Sequence, residues 1–222
     1  MKNLCLKALL KFLIGLLGCA AILFLPAGTF GYLNGWLFIA VLFVPMFIAG
    51  IILIFKNPEL LEKRLNAKEE ENEQKAVVVL SAVMFLAAFI VAGLTFRFKW
   101  IAFPDWAVWA AAVVFLAAYA MYAEVMRENT YLSRTVEVQQ NQKVIDTGLY
   151  GIVRHPMYSA TLFLFLAMGV ILGSPISFAI LLLYIPIIAV RIKNEEQVLE
   201  EGLQGYTEYK QRVKYKVIPF IW

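Results

Sequence analysis

The chain has 222 residues, of which 62% are apolar, and a formal net charge of +4. A soluble domain is only about half apolar, so this composition excludes one and points to a membrane protein; the mean hydropathy of +0.74 agrees. Two cysteines without a CxxC pair and a single histidine exclude a disulfide framework and a Cys/His cluster, and no metal site is expected.

The first apolar run, 9–26, follows Lys2, Lys7 and Lys11. Leu16-Leu17-Gly18-Cys19 is similar to a lipoprotein cleavage box, but the run continues through Leu25, longer than a cleavable segment, so an uncleaved first helix is expected. Runs 34–55, 76–96 and 105–126 are each about 20 residues, enough to cross a bilayer core. Asn57-Pro58 closes the second run, because the residue before a proline resists the helical conformation. The stretch 59–75 carries Glu and Lys at helical spacing, as in Glu59–Lys63 and Glu71–Lys75, and reads as a solvated interfacial helix.

Residues 127–156 form the longest polar connection. Thr135-Val136-Glu137-Val138 alternates like an extended strand, Asn141-Gln142 reads as a turn, and Thr147-Gly148 marks a second break. A loop this long in a compact protein is functional or disordered, and the absence of low-complexity sequence favours an ordered, functional one. Two shorter runs follow, 157–173 and 175–192, joined only by Gly173-Ser174-Pro175. They predict a tight helical hairpin with its tip short of the far surface. From Arg191 to Arg212 the pattern predicts one polar helix, with Leu199, Leu203, Tyr206 and Tyr209 on its apolar face. The apolar end, Val217 to Trp222, is expected to dock on the membrane surface or on the protein.

Lysine and arginine gather before the first run, in 56–75, in 127–156 and in the tail, whereas the turns 27–33 and 173–175 have none. Only Arg97 and Lys99 break the alternation. The consistent solution is an all-α integral membrane protein of about five to six transmembrane helices, with a C-terminal helical hairpin, a cytoplasmic C-terminal helix and both termini cytoplasmic. The chain divides by polarity into a four-span region, 1–126, and a region of loop, hairpin and terminal helix, 127–222. The positive charge is accounted for by this topology, and nothing suggests a nucleic-acid partner.

Three polar pieces converge on one membrane face: the 135–150 loop, Arg154-His155-Pro156-Met157-Tyr158 at the start of the hairpin, and Arg191…Glu195-Glu196 at its end. A hairpin forces its ends together, so His155 and Glu195 should be neighbours. Arg191 and Glu195 stand four positions apart and therefore share a helix face. Singly, an arginine and a histidine at a helix start are interfacial anchors, a Glu pair is a solvated face, and Tyr150 and Tyr158 fit an aromatic belt. Together they form a polar cluster that is costly at a membrane surface unless it binds something.

Thr147-Gly148-Leu149-Tyr150…Val153-Arg154-His155-Pro156-Met157-Tyr158 resembles the motif of the isoprenylcysteine carboxyl methyltransferase family and its phospholipid methyltransferase relatives. Arg191…Glu195-Glu196…Leu199…Tyr206…Tyr209…Arg212-Val213 resembles their second motif, and Asn57-Pro58-Glu59-Leu60-Leu61 is similar to what these proteins carry after an early span. The family often has proline where Leu149 stands and glycine where Ala160 stands. The resemblance implies a membrane enzyme that takes S-adenosylmethionine without a Rossmann domain, and no GxGxxG occurs. Carried over by position, it implies that Val144, Thr147, Gly148, Leu149 and Tyr150 of the loop, with Arg154, His155 and Tyr158, hold the cofactor. Glu195 and Glu196 would close the pocket. Arg191 and Glu195 would act at the chemical step, on a lipophilic substrate (a prenylcysteine or a lipid), and membrane lipids would surround the chain.

Methyl transfer from a sulfonium is a displacement that proximity and alignment accelerate. A carboxylate acceptor needs a cation to orient it, a role for Arg191. An amine acceptor needs a base, a role for Glu195 or Glu196. The first expectation is therefore carboxyl methylation of a prenylated cysteine or similar lipophilic acid. Amine methylation of a phospholipid head group is the alternative within enzymes, and a non-catalytic carrier or assembly factor is the rival of another class. A carrier should show inverted repeats or helices broken at mid-membrane, and the sequence has neither.

Overall fold

The computed structural model describes residues 2–65, 72–132 and 138–222. Within them the chain is helical, with no strand. The strand-like pattern at 135–138 falls mostly outside the described residues, as does the middle of the charged stretch 59–75. Helices α1 (Lys2–Ala27), α2 (Leu33–Lys56), α3 (Pro58–Leu65), α4 (Asn72–Arg97) and α5 (Asp105–Glu128) come first. A short 3₁₀ turn at Gly148–Gly151 precedes α6 (Pro156–Ile171), α7 (Pro175–Leu181), α8 (Tyr184–Gly202) and α9 (Tyr206–Arg212).

Among the described residues, five segments are long and apolar enough to cross a membrane: Asn3–Ala27, Leu33–Lys56, Lys75–Arg97, Asp105–Glu128 and Pro175–Gly202. Their outward faces carry bare apolar side chains, Leu17, Phe55, Trp109 and Val113 among them. Such a surface requires lipid, and the chain is an integral membrane protein. The inner faces meet in one core built on Phe38, Phe115, Ile171, Leu181, Ile188 and Ile192. Local sequence sets the breaks. Asn57 caps α3 by accepting the Leu60 N–H at 3.1 Å, and Ser174 caps α7 by accepting the Ser177 N–H. Pro156 and Pro175 each open a helix, where their missing N–H is not needed.

The hairpin of α6 with α7 and α8 differs from expectation at its tip. The Tyr32 hydroxyl donates to the Leu172 carbonyl at 2.5 Å, the Phe103 N–H to the Gly173 carbonyl at 3.1 Å, and Thr95 Oγ1 lies 2.9 Å from Ser174 Oγ. The tip therefore reaches the level of the α1–α2 and α4–α5 turns rather than stopping short of them. The shortfall lies at the other end. Helix α6 has 16 residues against the 24 of its antiparallel neighbour α5, so at 1.5 Å per residue its start is recessed by roughly 12 Å. This recess is where the polar pieces gather.

The helix expected over 191–212 is also interrupted. Helix α8 ends at Gly202, Gly205 takes the left-handed conformation (φ 87°), and α9 begins at Tyr206. The left-handed residue reverses the chain, as glycine does without a Cβ penalty. It turns Leu203, Tyr206 and Tyr209 into a cluster with Val138 and Val144 of the loop.

A close approach holds the hairpin shut. A Cβ on Gly169 would stand 2.6 Å from Phe178 Cα and 2.7 Å from its N. Gly169→Ala is therefore expected to destabilise the protein by about 1–3 kcal/mol through overpacking. Gly18, on an exposed face with nothing within 4 Å of such a Cβ, is the control: Gly18→Ala should be neutral or stabilising by up to about 1 kcal/mol. Thermal unfolding of detergent-purified protein checks both.

Candidate functional site

The site is built on a cross-connection between the start of α6 and the C-terminal tail. Arg154 and His155 donate their backbone N–H groups to the carbonyls of Tyr215 (2.9 Å) and Lys216 (2.8 Å), and the Ser159 hydroxyl donates to the Val217 carbonyl at 2.6 Å. The tail is folded back in turn, because the Trp222 carbonyl accepts from the N–H groups of Lys216, Val217 and Ile218. The apolar end thus docks in part on the protein, with Val217 buried while Phe220 and Ile221 stay exposed.

Arg154 is buried, and its guanidinium ties α8 to the tail. Nε donates to Glu196 Oε1 at 2.7 Å, and one terminal nitrogen donates to the carbonyls of Val213 (2.7 Å) and Lys214 (2.9 Å). His155 Nε2 lies 3.2 Å from the same Glu196 oxygen. Lys216 Nζ reaches the other carboxylate oxygen at 3.2 Å. Glu196 is 4% exposed, so its charge is held by paired cations rather than by water.

The adjacent Glu195 points the other way. Its Oε2 accepts from the Tyr158 hydroxyl at 2.5 Å, and that hydroxyl accepts from Arg191 Nε at 2.9 Å. Its Oε1 stands 3.9 Å from His155 Nδ1. Arg191, Tyr158, Glu195 and His155 thus form a continuous polar row across the base of the hairpin. His155 and Glu195 are neighbours, as the hairpin geometry requires.

This row floors a cleft of about 850 Å³, measured out to its open mouth. Asn129 and Leu132 at the end of α5 form one side; Val144, Ile145 and Tyr150 of the loop form another; Leu199, Leu203, Tyr206 and Tyr209 close it. Tyr150 is fixed at both ends, its hydroxyl accepting from Asn129 Nδ2 at 2.8 Å and its carbonyl accepting from the Tyr209 hydroxyl at 2.8 Å. Burial pushes the Tyr150, Tyr206 and Tyr209 hydroxyls well above the ordinary tyrosine range, so all three remain neutral. The Tyr206 hydroxyl is buried without a hydrogen-bond partner.

Of the residues named from sequence, Val144, Tyr150, Arg154, His155, Tyr158, Arg191 and Glu195 line the cleft. Thr147, Gly148, Leu149 and Glu196 lie outside that lining. Thr147 Oγ1 donates to Glu128 Oε1 at 2.7 Å, and Gly148 (φ 50°) has the Glu128 carboxylate where a Cβ would stand; both hold the loop to α5. Leu149 packs beside Val125, Leu132 and Tyr150, and Glu196 backs Arg154 and His155 from behind. Ile145 falls inside the 144–150 loop expected to hold the cofactor, whereas Asn129 carried no signal in the sequence. Tyr206 and Tyr209 did, by their spacing, but only the break at Gly205 turns them inward.

The cleft offers a carboxylate and an imidazole beside a guanidinium, under aromatic and aliphatic walls. This combination suits a ligand that carries both charges and a flat apolar part. Residues 109–201 match the model of the isoprenylcysteine carboxyl methyltransferase (ICMT) family. Curated proteins give no match to the chain. The matched stretch begins inside α5 and holds most of that helix, the loop and the hairpin through the Glu195-Glu196 pair.

The Arg154 contacts generate a stability test. Arg154→Leu leaves the Glu196 carboxylate short of a buried partner and should cost about 3–5 kcal/mol. Arg154→Lys should recover only part of this, since one ammonium cannot reproduce the planar fork that joins Glu196 to two carbonyls. Melting temperatures of the two variants in detergent check the order.

Proposed function

From a chain similar over 109–201 to the isoprenylcysteine carboxyl methyltransferase family, we propose an S-adenosylmethionine-dependent membrane enzyme that methylates the carboxylate of a prenylated cysteine or similar lipophilic acid. The observation that carries this reading is the row in which the Arg191 guanidinium and the Glu195 carboxylate face one cleft through the Tyr158 hydroxyl. In this reading 127–222 is the catalytic region and 1–126 its membrane scaffold. Both termini and the cleft lie on the cytoplasmic side. Lys56, Lys75, Arg127 and Arg154, at or near the helix ends on the cleft side, support this orientation.

The residues present fit the cofactor. Glu195 Oε1 and His155 Nδ1, 3.9 Å apart, provide acceptors for a cationic amino group. The unpartnered Tyr206 hydroxyl is a buried donor in want of an acceptor, a group costly to leave unmade. Tyr150, Ile145, Leu199 and Leu203 give a flat base an apolar seat. When bound, the cofactor supplies an electrophilic methyl group on a sulfonium.

The chain's own work is positioning. A carboxylate acceptor is already anionic, so no proton has to be removed. Arg191 orients it with the planar fork of its guanidinium. The Tyr158 hydroxyl, donating to Glu195 and accepting from Arg191, holds the two side chains in register. Glu195 is thereby committed to binding and orientation, and its Oε2 is occupied by the Tyr158 proton rather than free to act as a base. This supports the carboxylate acceptor over an amine.

Two measurements test the reading. Calorimetry on folded protein should give S-adenosylmethionine binding that His155→Ala weakens; no heat at millimolar cofactor overturns the cofactor assignment. Labelled methyl should pass to a farnesylated cysteine derivative, and Arg191→Leu should cut turnover by about 10²-fold, the order of a misplaced reactant, with cofactor affinity little changed. Transfer to a phospholipid amine instead, with Glu195→Gln the more damaging change, overturns the acceptor.

A further inference from the structure

Glu196 lies outside the cleft, yet it touches two residues that line it. Its Oε1 accepts from Arg154 Nε at 2.7 Å and faces His155 Nε2 at 3.2 Å. Its Oε2 is met by Lys216 Nζ at 3.2 Å and, at longer range, by Lys210 Nζ at 3.9 Å. Surrounded by these cations, Glu196 is a carboxylate with nothing to donate. An imidazole nitrogen facing such an oxygen must carry the proton, because two lone pairs would otherwise oppose each other. The hydrogen bond made by one ring nitrogen decides the state of the other.

We propose that Glu196 is a positioning residue: it holds the proton of His155 on Nε2 and so presents the unprotonated Nδ1 to the cleft as an acceptor. His155 is 5% exposed, and its backbone is fixed by the bond to the Lys216 carbonyl and by Pro156. In this placement the ring turns Nε2 to Glu196 and Nδ1 to the cleft, and Glu196 chooses which tautomer fills it. On the cleft side Nδ1 stands 3.9 Å from Glu195 Oε1, too far for a hydrogen bond between them. The two acceptors instead share a gap that one cationic donor can bridge. The two adjacent glutamates thus divide the work: Glu195 faces the ligand, and Glu196 acts on the ligand only through the histidine. The consequence for ligand binding rests on the cofactor reading above, while the tautomer itself does not.

The chain has a single histidine, so its imidazole can be read alone. Full-length protein labelled with ¹⁵N-histidine, in detergent micelles, gives the tautomer from its nitrogen shifts and ring couplings. A single neutral Nε2–H form is expected in the free protein, and a dominant Nδ1–H form or a doubly protonated ring overturns the proposal. In Glu196→Gln, Arg154 and Lys216 compete for the one remaining acceptor oxygen, so the Nδ1–H share should rise. S-adenosylmethionine affinity should fall by roughly tenfold, as when the outer partner of a ligating histidine is lost. Glu196→Asp should restore part of both. A tautomer unchanged in folded Glu196→Gln overturns the proposal, whereas a merely structural role for Glu196 would move the melting temperature and leave the tautomer alone. Should the wild-type tautomer be as stated but no cofactor bind, the functional reading fails and the role of Glu196 on His155 stands.

Discussion

The buried carboxylate of Glu196 is the point on which the cleft depends. It joins three pieces of chain distant in sequence: the start of α6 through Arg154 and His155, α8 on which it sits, and the tail through Lys216. Two charges removed from water cost more than their attraction returns unless every remaining donor and acceptor is satisfied. Here one terminal nitrogen of Arg154 donates to the carbonyls of Val213 and Lys214, which secures the tail as well. The charged cluster therefore specifies one arrangement of three segments, and the cleft is the space that this arrangement leaves.

Around it, the membrane scaffold follows a different logic. Lipid tails are as apolar as leucine, so helices associate by close approach and by buried polar contacts rather than by expulsion of water. Gly93 lets α4 approach the backbone of α1 at Leu23 and Ala27, and Gly169 lets α6 approach α7 at Phe178. At the hairpin tip, Tyr32, Thr95 and Ser174 supply the buried hydrogen bonds. With the tip held at the level of the far turns, the short α6 leaves its deficit at the near end. The recess that houses His155 and Tyr158 is thus a consequence of helix length.

Much of this was legible in residue order. Helix positions followed from long uncharged runs, and their breaks from Asn57-Pro58, Gly173-Ser174-Pro175 and Pro156, because proline and the residue before it act through local sterics alone. The meeting of His155 with Glu195 was legible too, since a hairpin brings its ends together whatever surrounds it. The interruption at Gly205 was missed because Leu199, Leu203, Tyr206 and Tyr209 keep helical spacing across it, and periodicity does not register one left-handed residue.

The sequence by itself determined the membrane class, the helical architecture and the chemical types gathered at the hairpin base, for these rest on composition, periodicity and local backbone sterics. The tertiary structure alone decided how those types divide. Glu195 and Glu196 are identical in chemistry and adjacent in sequence, yet successive positions on a helix are turned by about 100°, and what each meets is set by segments far away. The Tyr158 hydroxyl turns one toward the cleft; Arg154, His155 and Lys216 take the other behind it. The same holds for Asn129 and Tyr206, whose positions at the cleft depend on where α5 ends and how α9 folds back. Direction and partnership are properties of contacts between distant segments, and no single stretch of chain contains them.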